Sequence, residues 1–432
     1  MAQSQGWSTL AHHGQAARAV TLPDVPAETR ARDAPKGGFH RMSGKYTLGI
    51  EEEFQLVDAV TGSLQSGIVP LMALAKAELG DHLKAEFLQC TAETVTGVCP
   101  SIAAGRAEAA HLRATVARMA ESLGMQLISA GTHPSDDWLG QDRTDHPRYE
   151  ELDEQLQEVA RSILIFGLHV HIGIENRDHL IEIMNQARNF IPHALALAAN
   201  SPFWQGRVTG YQSVRTTIWQ RFPRSGLPDV FSSYAELDRY VKMLVATNCI
   251  DDGKKIWWDL RPHPFFSTLE FRVCDMPATL DDTIAIAALF QALVAKLDWM
   301  RARDTGLHLY PTSWLNENKW RAARYGLDGN FIDYANLREI PTRDAIHELL
   351  DFVDEVVDDL GSRYEMNYLR QLLDGSEGTG ADRQLAVYDQ TGDLTSVTRW
   401  LAQATMQGIR SQEEKNHPFE QGLNSKRSRA EL

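Results

Sequence analysis

Two hydrophobic rhythms organise this chain. From Tyr46 to Val57, apolar and polar residues alternate with period two, the pattern of a strand with one buried face. SILIFGLHVHIGI (162–174), IWWDLRPHP and STLEFRVCDMP read the same way, as does KAEFLQCTAETVTGVCP, which ends at Pro100. MQLISAGTHP reads as a strand running into a polar loop. Helical spacing predicts helices over 68–79, over 102–123 with Ser101 as cap, over 149–161, and from Asp178 to about Ala199. Ser233-Tyr234-Ala235-Glu236 is a capping box that starts another. Helices are then expected over 281–303, 342–360, 362–374 and 393–408. Residues 200–228, rich in Gly, Pro, aromatic and Arg residues, are too irregular for one element and are expected to form a substrate loop.

Strands and helices interleave through the first two-thirds with no linker and no internal repeat. The expected fold class is α+β, one catalytic domain over 43–410 with a largely antiparallel sheet and helices outside it. Residues 1–42 are expected to be a disordered extension, with Met42 a candidate start of the folded part. Residues 411–432 are expected to be a flexible polar tail.

The alternation sorts the charged residues. In the first strand Gly49, Glu51, Glu53 and Gln55 share one face, while Glu52 falls among Leu48, Ile50, Phe54 and Leu56. A buried carboxylate needs a cation or a hydrogen-bonding partner, so Glu51 and Glu53 are placed to hold cations and Glu52 requires a partner elsewhere. The alternative is a solvated face on an edge strand. His169 and His171 share one face of Leu168-His169-Val170-His171-Ile172, a pattern pointing to a metal or anionic ligand. Glu270 and Arg272 share a face of LEFRV, which on its own reads as a salt bridge. Glu86 and Glu93 have odd spacing and converge only through a bulge or a turn between two strands. If these strands are neighbours, their polar faces form a funnel lined by carboxylates and imidazoles. Divalent ions would relieve the repulsion there, and oxygen-rich ligands suit Mg²⁺ or Mn²⁺.

Composition narrows the reading. The 432 residues are 43% hydrophobic and 23% charged, as in ordinary globular proteins. A net charge of −15 with no basic stripe speaks against a nucleic-acid partner. Four cysteines without a C-x-x-C pair argue against cysteine-bound zinc, and their apolar neighbours suggest reduced, buried thiols in a cytoplasmic protein. No apolar run approaches the roughly 20 residues that span a bilayer, so no membrane partner is expected. Neither a G-x-x-x-x-G-K-[ST] loop nor a G-x-G-x-x-G turn after a strand is present. A bound nucleotide would therefore be held mainly by metal and arginine.

GIEEEFQLVD, EFLQCTAETVTGVCP, LHVHIGI, NSPFWQG, IWWDLRPHP and LEFRVCDMP occur in that order. As an ordered set they resemble the bacterial carboxylate–amine ligase family, also called glutamate–cysteine ligase type 2, of the glutamine synthetase-like superfamily. The likeness runs from about Tyr46 to about Leu297, with a weaker match at GTGADRQ (378–384). It implies use of ATP and two or more Mg²⁺ or Mn²⁺ ions to turn a carboxylate into an acyl phosphate that an amine attacks, by default glutamate and cysteine. It also implies that Glu53, Glu86 and Glu93 hold one metal and that Glu51, His169 and Glu270 hold the other. Arg272 would face the phosphoryl group or acidic substrate, with Arg215 and Arg261 as further candidates and His171 as a neighbour. A homodimer is implied by likeness alone. The competing readings are a metal-dependent phosphotransferase or hydrolase, and a non-catalytic nucleotide-binding protein.

Overall fold

The computed structural model describes residues 45–409, and the expectations for 1–42 and 411–432 fall outside them. Its centre is a seven-stranded sheet. In chain order the strands are β1 (Leu48–Asp58), β2 (Leu83–Ala85), β3 (Thr91–Val95), β4 (Met125–Ile128), β5 (Gly167–Gly173), β6 (Leu260–Pro262) and β7 (Thr268–Asp275). They lie in the order β6-β7-β5-β1-β3-β2, with β4 on the C-terminal half of β1, and every pairing is antiparallel.

Register decides which side chains share a face. Glu52 pairs with Leu168, Ile50 with Val170 and Leu48 with Ile172, so this side is apolar. Helices Ile102–Ser122 and Leu280–Arg301 cover it, and the Phe271 and Phe290 rings stack at 3.9 Å. Leu280–Arg301 is long and apolar enough to cross a membrane by composition. However, 89% of its most apolar window is buried in the protein, where it serves as the central helix of the core. The opposite sheet face is polar and lines a cavity.

Most predicted elements are present, and the departures have local causes. Ser101 caps its helix by accepting from the Ala104 N–H. Asn176, not Asp178, caps the next predicted helix, which ends at Ala187. A 3₁₀ turn follows, and Pro192 sits in the first turn of a separate short helix, Ile191–Leu197, because proline suits a first turn and disrupts an interior. Ser233 accepts from the Glu236 N–H, but the Glu236 carboxylate returns to Ser232, so the box is only half closed. Residues 149–161 split at Gln157, whose φ is +50°. Helices Thr312–Tyr325 and Gly380–Thr391 and the hairpin Asn330–Asp333/Arg338–Pro341 were not legible as elements in the sequence. Three cysteines are buried as expected, whereas Cys249 is exposed.

Candidate active site

Cross-strand pairing assembles the polar face. Glu51 lies opposite His169, Glu53 opposite Glu93, and Glu270 opposite both His171 and Arg261. Directly opposed residues share a face, with Cβ atoms about 4.5–5.5 Å apart. Glu86 follows β2 at once, in the turn that leads back into β3, so a turn between two strands brings it towards Glu93. All five glutamates line one cavity of about 540 Å³ with His169, His171, Arg215, Arg261 and Arg272.

The carboxylates divide into two electrostatic groups. Burial raises the Glu53 carboxyl to about 7 and repulsion from Glu86 adds to the shift, while Arg215 opposes it. Burial, with Glu86 and Glu51, pushes Glu93 well above the usual range. This is a crowded acidic set short of positive charge. The Gly167 N–H donates to Glu53 Oε2 at 2.5 Å, and Lys84 Nζ stands 3.6 Å from Glu93 Oε1 at the rim.

In the other group, positive charge dominates. Burial works to raise Glu51, but His169 and His171 outweigh it and hold the carboxyl well below its ordinary value. Burial likewise opposes ionisation of Glu270, yet Arg261 and Arg272 hold it well below the usual range. Arg261 grips Glu270 with Nε at 2.8 Å and Nη2 at 3.3 Å, and Arg272 Nη1 donates to the same carboxylate.

The two imidazoles differ. His169 Nδ1 is 3.2 Å from Glu51 Oε2 and its Nε2 is 4.0 Å from Glu53 Oε1, so it stands between the groups. Burial and Arg272 lower its pKa to about 4. His171 Nδ1 meets Thr268 Oγ1 at 3.1 Å, leaving Nε2 buried without a hydrogen bond and 3.4 Å from Glu51 Oε1. One donor atom each from Glu51, His171 and Glu270 lies within 4.8 Å of the other two. An orphaned imidazole nitrogen facing two carboxylates fits a divalent cation, as do the opposed acids Glu53 and Glu93.

A bulge in β7 shapes the floor. Between Phe271↔Val170 and Cys274↔Leu168 the register shifts, so Arg272 and Val273 together oppose one residue, His169. Arg272 lies over the Trp219 ring at 5.7 Å. Trp219, and Tyr149, whose hydroxyl stands 3.5 Å from Glu86 Oε2, escaped the sequence reading because neither sits in a local pattern.

This architecture defines a class, an α+β fold built on a largely antiparallel sheet with helices outside it, as the sequence led one to expect. The chain overlays on a Francisella tularensis glutamate–cysteine ligase crystallised with AMP, with a TM-score of 0.63 at 14% identity, covering 84% of this chain and 90% of that one. It also overlays on a Pasteurella multocida bifunctional glutathione synthetase (TM-score 0.64, 14% identity), covering 85% of this chain but only 53% of that longer one. At such identity the likeness is one of fold. The chain belongs to the glutamate–cysteine ligase family 2 (GCS2), whose sequence model matches residues 47–400. Relatives named "Putative glutamate--cysteine ligase 2" include one from Roseiflexus castenholzii, 49% identical over 84% of this chain and 96% of its own length. Another, from Solibacter usitatus, is 48% identical over 84% of this chain and 94% of its own.

Proposed function

We propose that the protein is an ATP-dependent carboxylate–amine ligase that joins glutamate to cysteine and releases ADP and phosphate. The observation that carries this reading is that the polar sheet face, with Glu86 from the turn after β2 and Arg215 from the helix Val214–Trp219, gathers five carboxylates, two imidazoles and three arginines in one cavity. No Ser or Cys lines that cavity among the described residues. The names of the family and of its members support glutamate and cysteine as the pair.

In this reading Glu53, Glu86 and Glu93 hold one divalent ion, and Glu51 and Glu270 hold a second with the imidazoles of His169 and His171 beside Glu51. Such ions, when bound, neutralise the repulsion between triphosphate and substrate carboxylate. Arg272 and Arg215 present fixed positive charge to the phosphoryl group and the acidic substrate, and Arg261 anchors Glu270. The carboxylate oxygen bonds to the γ-phosphorus as the β–γ bridge breaks, giving an acyl phosphate and ADP. The amine nitrogen then attacks the acyl carbon, phosphate leaves and the amine gives up a proton. Trp219, Phe222 and Trp257 along the cavity wall shield the anhydride from water.

The test is ADP release with Mg²⁺, glutamate and cysteine, each omitted in turn, with the product weighed by mass spectrometry. Phosphate release that needs no amine would favour a hydrolase or phosphotransferase. Nucleotide binding without turnover for every amine tried would favour a binding protein.

A further inference from the structure

Asp275 ends β7, is fully buried, and belongs to neither carboxylate group. Its Oδ2 accepts from the Asn200 N–H at 2.8 Å and from Ser201 Oγ at 2.6 Å, and its Oδ1 accepts from Ser213 Oγ at 2.7 Å. Asn200 and Ser201 open the irregular stretch 200–228, and Ser213 closes its first half just before the helix Val214–Trp219; a parallel bridge between Ser201 and Ser213 also draws the two ends of this 200–213 loop together. Ser201 Oγ in turn accepts from the Arg215 N–H at 3.1 Å. One carboxylate thus fastens both ends of the loop and, through Ser201, the backbone of Arg215.

The Arg215 side chain leaves this knot and runs across Gly167, which pairs with Asp275 on the neighbouring strand. A Cβ at Gly167 would collide with the guanidinium. Nη1 reaches the Arg272 and Val273 carbonyls of the bulge at 3.4 and 3.3 Å, while Nε is buried with no hydrogen bond. Arg215 therefore lies at the cavity floor, held by long contacts, and its direction depends on where its backbone is fixed.

We infer that Asp275 is a positioning residue for Arg215: by tying Asn200, Ser201 and Ser213 together it aims the guanidinium over Gly167 into the cavity. The kinetic consequence rests on the ligase reading above, whereas the clamp itself does not. Asp275→Asn keeps the shape but removes the charge and one acceptor. Gly167→Ala disturbs the same guanidinium from the other side without touching the clamp.

The experiment makes each change alone and with Arg215→Ala, and measures kcat and KM for glutamate with Mg²⁺ and ATP. Each single change is expected to lower kcat/KM at least tenfold, and to add less than twofold once Arg215 is already alanine. Full multiplication of the losses would overturn the inference, because a merely structural Asp275 would cost the same in both backgrounds. Hydrogen exchange of the free protein supplies the second arm. Asp275→Asn is expected to speed exchange across 200–215 and leave β1 and the Leu280–Arg301 helix unchanged, whereas Gly167→Ala leaves 200–213 protected. Unchanged exchange in Asp275→Asn would also overturn it. If the wild-type protein shows no amine-dependent turnover, the ligase reading fails on its own. The exchange arm then decides the clamp, and Mg²⁺–ATP affinity replaces kcat/KM in the cycle.

Discussion

Arg113 pairs with Glu52 on the apolar side of β1, Nη2 to Oε1 at 2.5 Å and Nε to Oε2 at 3.3 Å, with both side chains out of solvent. The guanidinium also donates to the Thr405 carbonyl at 3.0 Å and to Thr283 Oγ1 at 3.1 Å, and lies over the Phe54 ring. It thereby ties β1 to three helices. The middle member of the Glu51-Glu52-Glu53 run is thus a structural charge set back to back with two in the cavity.

Removing one partner leaves the other buried and uncompensated. Glu52→Gln or Arg113→Met is expected to destabilise the fold by about 3–5 kcal/mol, whereas replacing both by apolar residues restores much of the loss. Urea unfolding of the two single variants and the double variant measures this. A double variant that loses the sum of the two single losses would mean that the pair contributes nothing beyond packing.

Glu53→Gln and Glu270→Gln each remove charge from the cavity without changing side-chain volume. ADP formation is expected to fall by about 10²–10³-fold or more in each; Glu53→Gln leaves a folded protein of similar melting temperature, whereas Glu270→Gln lowers it by leaving Arg261 and Arg272 without their buried partner, the protein still being folded at the assay temperature. Steady-state assays beside thermal unfolding separate lost chemistry from lost fold, and full activity in both variants would refute the metal assignment.

Metal binding is expected to compete with protons at Glu53. Its folded pKa of about 7 exceeds the value near 4.3 of an unfolded chain. Between those values the folded protein holds more protons than the unfolded one. This contribution to stability is complete below pH 4.3 and is lost as pH rises through 7. In EDTA, the melting temperature of wild type relative to Glu53→Gln should therefore fall from pH 5 to pH 8. Added Mn²⁺ should stabilise wild type more at pH 8 than at pH 6, and binding at pH 6 should release protons, visible by calorimetry in buffers of different ionisation enthalpy.

The two histidines can be told apart by their metal signatures. His171, with its orphaned Nε2, is expected to ligate, so His171→Ala should weaken Mn²⁺ binding by at least about tenfold. Pulsed electron paramagnetic resonance of bound Mn²⁺ counts coupled imidazole nitrogens in wild type, His169→Ala and His171→Ala. Loss of the coupling only in His169→Ala would assign the ligand to His169 instead.

Much of this site could be read from the chain. Period-two alternation puts Glu51 and Glu53 on one face of their strand, and His169 with His171 on one face of theirs; register then makes these the same face of the sheet. Alternation also singled out Glu52 as needing a partner, though it could not name Arg113, which lies 61 positions away on a helix. The pairing of Glu86 with Glu93 defied the strand periodicity, because the chain reverses between them. Helix Thr312–Tyr325 went unseen because it starts after Pro311 with no side-chain cap, and Gly380–Thr391 because it opens on glycine.

The sequence by itself determined which residues face the same way along each strand, since alternation is a property of the local backbone. Tertiary structure alone decided which strands stand side by side, where β7 bulges and which distant charges meet. Those outcomes depend on register and packing between segments far apart in the chain. Asp275 shows the limit most plainly. In sequence it is one acid after a strand, and only the fold brings Asn200, Ser201 and Ser213 to its two oxygens.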